Sequence, residues 1–111
     1  MAFGAIAVGP ATATTVGECQ AKLATLRSDT VAAQSSFANQ KDFVGLLGKL
    51  DAAATKLSQG KNADAIQKLT DFQTALNALA SAAKPKVDPT VAQALSTKAQ
   101  GVIDCVNAIE A

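Results

Sequence analysis

Residues 87–109 read VDPTVAQALSTKAQGVIDCVNAI, and this stretch decides the fold. Asp88 is placed to cap a helix, with Pro89 at the first helical position, where a missing N–H costs nothing. Val87 stands ahead of the cap, ready to staple against the first turn. Behind that start, Val91, Leu95, Ala99, Val102, Val106 and Ile109 recur at steps of three and four, which places them on one stripe of a helix. Cys105 borders the stripe, near the end of the chain. A helix with one apolar stripe needs partners to cover it, and the sequence upstream supplies three.

The first is announced by Thr15-Val16-Gly17-Glu18, which has the S/T-x-x-E form of a capping box. Val16, Cys19, Leu23, Leu26, Thr30, Ala33 and Phe37 follow at helical spacing, so Cys19 faces inward. Asn39 with Asp42 marks a second start. Phe43, Leu47, Leu50, Ala54 and Leu57 then keep the rhythm, and Leu46 and Ala53 widen the face. Gly60 ends that helix by offering a left-handed position. Asn62 is read as the cap of a third helix, with Asp64 near its positive end and Ile66, Leu69, Phe72, Leu76, Leu79 and Ala83 inward. Pro85 closes it. Connections of a few residues between helices of about twenty favour antiparallel neighbours, so an all-α, up-and-down four-helix bundle is predicted.

In that topology the start of the first helix and the end of the last meet at one end, where Cys19 and Cys105 can join. Free buried cysteine is a common small core residue, and the alternative is two such thiols. The shared end of the bundle and the N-terminal segment favour a disulfide, and with it an oxidising compartment. A redox-active pair is usually close in sequence, as in C-x-x-C, which this pair is not.

Residues 1–13 read apart from the rest. Ala2 to Val8 is a short apolar run, followed by Gly9-Pro10 and by Ala11-Thr12-Ala13, which has the small-x-small form of a signal-peptidase site. The segment is read as the tail of a secretory signal, the alternative being a disordered or surface-packed arm, and 14–111 as a single four-helix domain. The apolar run is too short to span a bilayer, so no integral membrane span is expected.

Composition narrows the function classes. Of the 111 residues 49% are hydrophobic, yet Phe3, Phe37, Phe43 and Phe72 are the only aromatics, so the core is built from aliphatic side chains and alanine. Ten basic residues against nine acidic ones leave a net charge of +1, with the lysines spread over every segment, and no footprint for nucleic acid emerges. There is no histidine, which removes the Ser-His-Asp triad, the imidazole base, the usual zinc site and the Glu-x-x-His di-iron motif. Haem lacks an axial ligand other than the cysteines, and the glycines form no phosphate loop. No catalytic residue, cofactor or metal ligand is therefore assigned.

Asp64 and Asp71 lie seven apart on one helix, and Asp51 or Asp88 is a conceivable neighbour across a helix pair. Lys68 sits between the first two at salt-bridge spacing, which favours an ordinary solvated face. Lys84-Pro85-Lys86 forms a small basic turn. Together with Lys61 and Lys68, Lys84 and Lys86 are the candidates for contact with a partner. Gly45 and Gly48 inside the second helix suggest a close approach between helices.

The stretch from Leu46 to Ile103 resembles a known family. Leu46-Leu47-Gly48-Lys49-Leu50-Asp51-Ala52-Ala53, Leu57-Ser58-Gln59-Gly60-Lys61, Ala65-Ile66-Gln67-Lys68-Leu69-Thr70-Asp71-Phe72, and Val87-Asp88 before a last helix are similar to the FIMAH domain of bacterial extracellular proteins. Gln73 and Leu76 stand where other apolar residues are more typical of it. The resemblance implies an extracellular accessory module and carries over no functional residue. The expectation is a secreted or cell-envelope monomer that binds an extracellular or envelope protein, or serves as a structural piece, without catalysis. Two alternatives stand beside it. One is an enzyme inhibitor of the disulfide-tied four-helix type, an analogy of fold alone. The other is a carrier of a small apolar ligand, which requires a cavity.

Overall fold

A computed structural model describes residues 15–109; the reading of residues 1–13 lies outside them. Four helices follow one another: α1 (Val16–Ala32), α2 (Gln40–Ser58), α3 (Asn62–Ser81) and α4 (Pro89–Asn107). Neighbours in sequence pack side by side and α1 closes the ring against α4, which gives the up-and-down bundle.

The helix boundaries follow from local chemistry. Thr15 Oγ1 accepts from the Glu18 N–H at 3.1 Å, while Glu18 Oε1 accepts from the Thr15 N–H at 3.1 Å, completing the capping box. Asp88 Oδ1 accepts from the Thr90 N–H at 2.9 Å, with Pro89 next in line as expected. Gly60 takes a φ of +76°. The Gly60 N–H donates to Leu57 and the Lys61 N–H to Lys56, the pair of bonds that closes a Schellman turn. The third helix departs from the sequence reading at its start. Its cap position is Lys61, and Asn62 is already helical, because the Schellman bond from Lys61 brings the chain round one residue earlier.

The core runs the length of the bundle, with Leu26, Leu46, Leu50, Leu57, Leu69, Phe72, Leu76, Val102 and Val106 all fully buried. On α2 the centre of the buried face is Leu46 and Ala53, with Leu47 and Ala54 partly covered beside them. On α3 Ala65 is buried and Ile66 and Leu79 flank the core. Ala83 lies beyond the end of the helix and is exposed.

Phe37 is buried, but not as part of the α1 stripe. After Ala32 the chain tightens into a 3₁₀ turn at Gln34–Ser36, and Phe37 is extended. There it faces Val87 in an isolated antiparallel bridge, with the Ala38 N–H donating to Lys86 O at 2.8 Å and the Asp88 N–H to Ser36 O at 3.2 Å. The ring of Phe37 packs on Phe43 at 5.5 Å between centroids. This bridge ties the α1–α2 connection to the α3–α4 connection and secures one end of the bundle. The other end is secured covalently: Cys19 and Cys105 form a disulfide across 86 residues, with Cα atoms 5.6 Å apart.

Gly45 and Gly48 do not mediate close helix packing. A Cβ at either position, or at Gly101, would meet nothing within 4 Å. All three lie inside helices and pay only the entropic penalty of glycine, so Gly45→Ala, Gly48→Ala and Gly101→Ala should each raise stability by about 0.5–1 kcal/mol. Urea titration of the three variants checks this; a loss of stability at any of them would show that the position needs its bare backbone.

Candidate functional site

Among the described residues the one buried side-chain atom without a hydrogen-bond partner is Asn62 Oδ1, at the start of α3. Among the described residues Thr30 is the one buried polar side chain, and its hydroxyl donates to the Leu26 carbonyl of the preceding turn at 2.8 Å. Cys19 and Cys105 are buried and joined to each other. Among the described residues no group of three or more cysteine and carboxylate side chains is arranged to hold a metal ion. Asp51 does not approach Asp64 or Asp71 as a partner. Its carboxylate takes Arg27 of α1, with Nε at 2.7 Å and Nη2 at 3.5 Å, and holds that guanidinium more firmly charged. Asp71 accepts from the Gln67 amide at 3.0 Å, so the pairing with Lys68 suggested by spacing is not made. The second ion pair among the described residues joins Lys98 of α4 to Asp29 of α1. Both pairs are surface links between neighbouring helices.

The four candidate lysines are not brought together. Lys61 sits in the α2–α3 turn and Lys68 two turns up α3, whereas Lys84 and Lys86 lie in the connection beyond the other end of that helix. Twenty helical residues at 1.5 Å each separate the two turns by about 30 Å. Lys61, Lys84 and Lys86 are exposed and Lys68 is partly covered. The basic turn is well anchored through its backbone. The Lys86 N–H donates to Leu79 O at 2.9 Å, and the Lys86 carbonyl accepts from Ala38 across the bridge. Lys84 and Lys86 therefore project from a fixed loop.

Two open grooves of about 400 Å³ were not visible in the sequence. One lies between α2 and α3, over Gly45, Leu46, Ala75 and Leu79, with Lys41 and Lys49 on its rim. The other lies between α1 and α4, over Leu26, Gly101 and Val102, with Lys22 and Lys98 beside it. Each is bordered by a glycine, Gly45 or Gly101, at which a Cβ would meet nothing within 4 Å. Glycine inside a helical pattern was the available signal, read there as close packing. Both grooves open to solvent, so neither is the enclosed chamber that a carrier of apolar ligands needs. Beside the first, Val44 is 55% exposed.

Gln73 shows why a polar residue is acceptable at a partly buried position of α3. Its amide donates to the Ser96 carbonyl of α4 at 3.0 Å and to Gln100 Oε1 at 3.3 Å. Gln20 makes the equivalent link from α1 to the Ala54 carbonyl of α2 at 3.1 Å.

Comparison with known proteins adds a family. The model of the FIMAH domain matches residues 25–104, from the middle of α1 to the last residue before Cys105. Both cysteines lie just outside the matched region. No curated protein and no solved structure matches the chain.

Proposed function

The chain belongs to the FIMAH domain family, and we propose that it works outside the cytoplasm as a non-catalytic binding or structural module. The observation that carries this reading is the interior: its buried residues are apolar but for Thr30, which is satisfied within its own helix, and the one buried side-chain atom left without a partner among the described residues is the amide oxygen of Asn62 at the start of α3. General acid, base and nucleophilic catalysis all need a polar group held within hydrogen-bond reach of a reacting atom, most often a histidine, and this chain has no histidine to supply one. The disulfide and the lack of any described helix long and apolar enough to cross a membrane are compatible with an extracytoplasmic location. Bacterial origin and export are part of the proposal, in keeping with the family. The inhibitor alternative rests on architecture alone and no residue of this chain carries it.

Recognition by such a module falls to its exposed side chains, and the anchored turn bearing Lys84 and Lys86 is the first place to test. A Lys84→Glu/Lys86→Glu variant should melt like the parent, within roughly 0.5 kcal/mol, because both side chains are solvated. Its capture of an envelope or secreted protein should weaken roughly tenfold, with Lys61→Glu/Lys68→Glu as the comparison at the opposite end. Capture unchanged by both double variants, in proteins of parental melting temperature, would remove the lysines from the recognition surface.

A further inference from the structure

The placement of the disulfide has a mechanical consequence. Cys19 lies in the first turn of α1 and Cys105 in the last turn of α4, at the same end of the bundle. Whatever polypeptide adjoins the module, its pull enters ahead of Cys19 and leaves behind Cys105. Between those points the load has two routes: through 86 residues of folded chain, or across a bond that holds the two Cα atoms 5.6 Å apart. The covalent route is shorter and stiffer, and it takes the force.

We propose that the Cys19–Cys105 bond is a load bypass, which lets this module transmit tension between its chain ends without unravelling the bundle. The proposal deepens the structural side of the function proposed above. The geometry without the bond shows what the bypass prevents. α1 and α4 are antiparallel neighbours loaded at the same end, so tension would peel them apart from that end, the buried residues nearest the cysteines, Leu23 on α1 and Val102 on α4, before those further along, Leu26 and Ala99. Peeling breaks a few contacts at once, and the other layers cannot share the load. The Arg27–Asp51 and Lys98–Asp29 links lie on the exposed surface and resist little. With the bond in place, the described residues exposed to tension are 15–18 and 106–109, the short flanks outside the cysteines. The bond is also well protected: Cys19 is fully buried and Cys105 is 8% exposed, which keeps soluble thiols from the sulfurs while the bundle is folded. Both cysteines flank the matched family region, so the bond closes around the family's helical unit as a whole.

The test is single-molecule stretching of the full chain by handles at its two ends, with dyes attached without cysteine chemistry at Ser35 in the α1–α2 connection and at Gln59 just after α2. In the oxidised chain the expected lengthening is at most about 80 Å, the reach of the 18 residues ahead of Cys19 and the 6 behind Cys105, and energy transfer between the dyes stays at its unloaded value. After reduction by a dithiol the chain should lengthen by roughly 300 Å with complete loss of transfer, since 86 residues are then free to extend. If the reduced chain is unfolded before any load, the oxidised chain is held at the force that brings the reduced one to half its contour length. Loss of transfer in the oxidised chain, at a force that unravels the reduced one, would show that tension reaches the bundle and would overturn the proposal. Equal resistance of the reduced and oxidised chains would overturn it too. The measurement involves no partner, so its outcome is separate from whether the module captures one.

Discussion

Opening the Cys19–Cys105 bond should lower the free energy of unfolding by about 4–5 kcal/mol, the loop-closure entropy of a ring of roughly 85 residues. The bond constrains the unfolded chain, whose ends would otherwise be far apart, and it links two helices that already touch. For a domain of this size the loss corresponds to a fall in melting temperature of roughly 20–35 °C. Domains are stable by about 5–15 kcal/mol in total, so the reduced protein should be marginal. Two forms separate the contributions. Reduced wild type keeps both sulfurs in the core and isolates the cross-link. Cys19→Ala/Cys105→Ala also removes buried atoms, and should be less stable again. Calorimetry of the oxidised, reduced and doubly substituted proteins measures each step. A reduced protein within about 1 kcal/mol of the oxidised one would mean that the unfolded chain keeps its ends together without help.

Much of this architecture was legible because it depends on interactions short in sequence. The capping box at Thr15–Glu18, the Asp88-Pro89 start and the left-handed turn at Gly60 each involve residues within a few positions of one another, and each forms as read. The disulfide followed from them, since four helices with short turns leave its two cysteines at one end. The features that escaped are set in part by contacts between distant segments and in part by local bonds that compete with the one the residue type suggests. Phe37 fits the helical period of α1, but pairing of its backbone with Val87 of another connection holds it extended. Asn62 has the chemistry of a cap, yet the bond from Lys61 back to Lys56 leaves Lys61 at the cap position and Asn62 as the first residue of α3. Gly45 and Gly48 were read as packing residues because a sequence does not show whether the space beside a glycine is filled. Spacing places Lys68 within reach of Asp64 and Asp71, but neither ion pair is made, and Asp71 accepts instead from the Gln67 amide one turn before it. The four lysines offered as candidates for partner contact carry no signal of position in the sequence, and the structure sets Lys61 and Lys68 toward one end of α3 and Lys84 and Lys86 beyond the other.

Phe72→Ala should cost about 3–5 kcal/mol, the second largest effect expected in this chain. Phe72 is fully buried in the middle of α3 and is the largest of the fully buried side chains, so its loss leaves a cavity walled by α-helices that are held at both ends. The Phe37–Val87 bridge fixes one end and the disulfide the other, which limits how far the helices can close on the gap. Chemical denaturation should show a lower midpoint at unchanged slope, the mark of lost stability without a change in the surface exposed. Val44→Ala is the control, since Val44 is 55% exposed and its truncation should stay within roughly 0.5 kcal/mol. In oxidised protein the variant should still fold; combined with reduction, the two losses approach the whole stability of a domain this size and the chain should unfold. The functional meaning lies in how partner capture follows stability. If the interior serves packing alone, oxidised Phe72→Ala at a temperature where it is fully folded should capture a partner as well as the parent does. Weakened capture by that folded variant, with the lysine variants unaffected, would place a ligand site inside the bundle and refute the apolar-interior argument on which the non-catalytic reading rests.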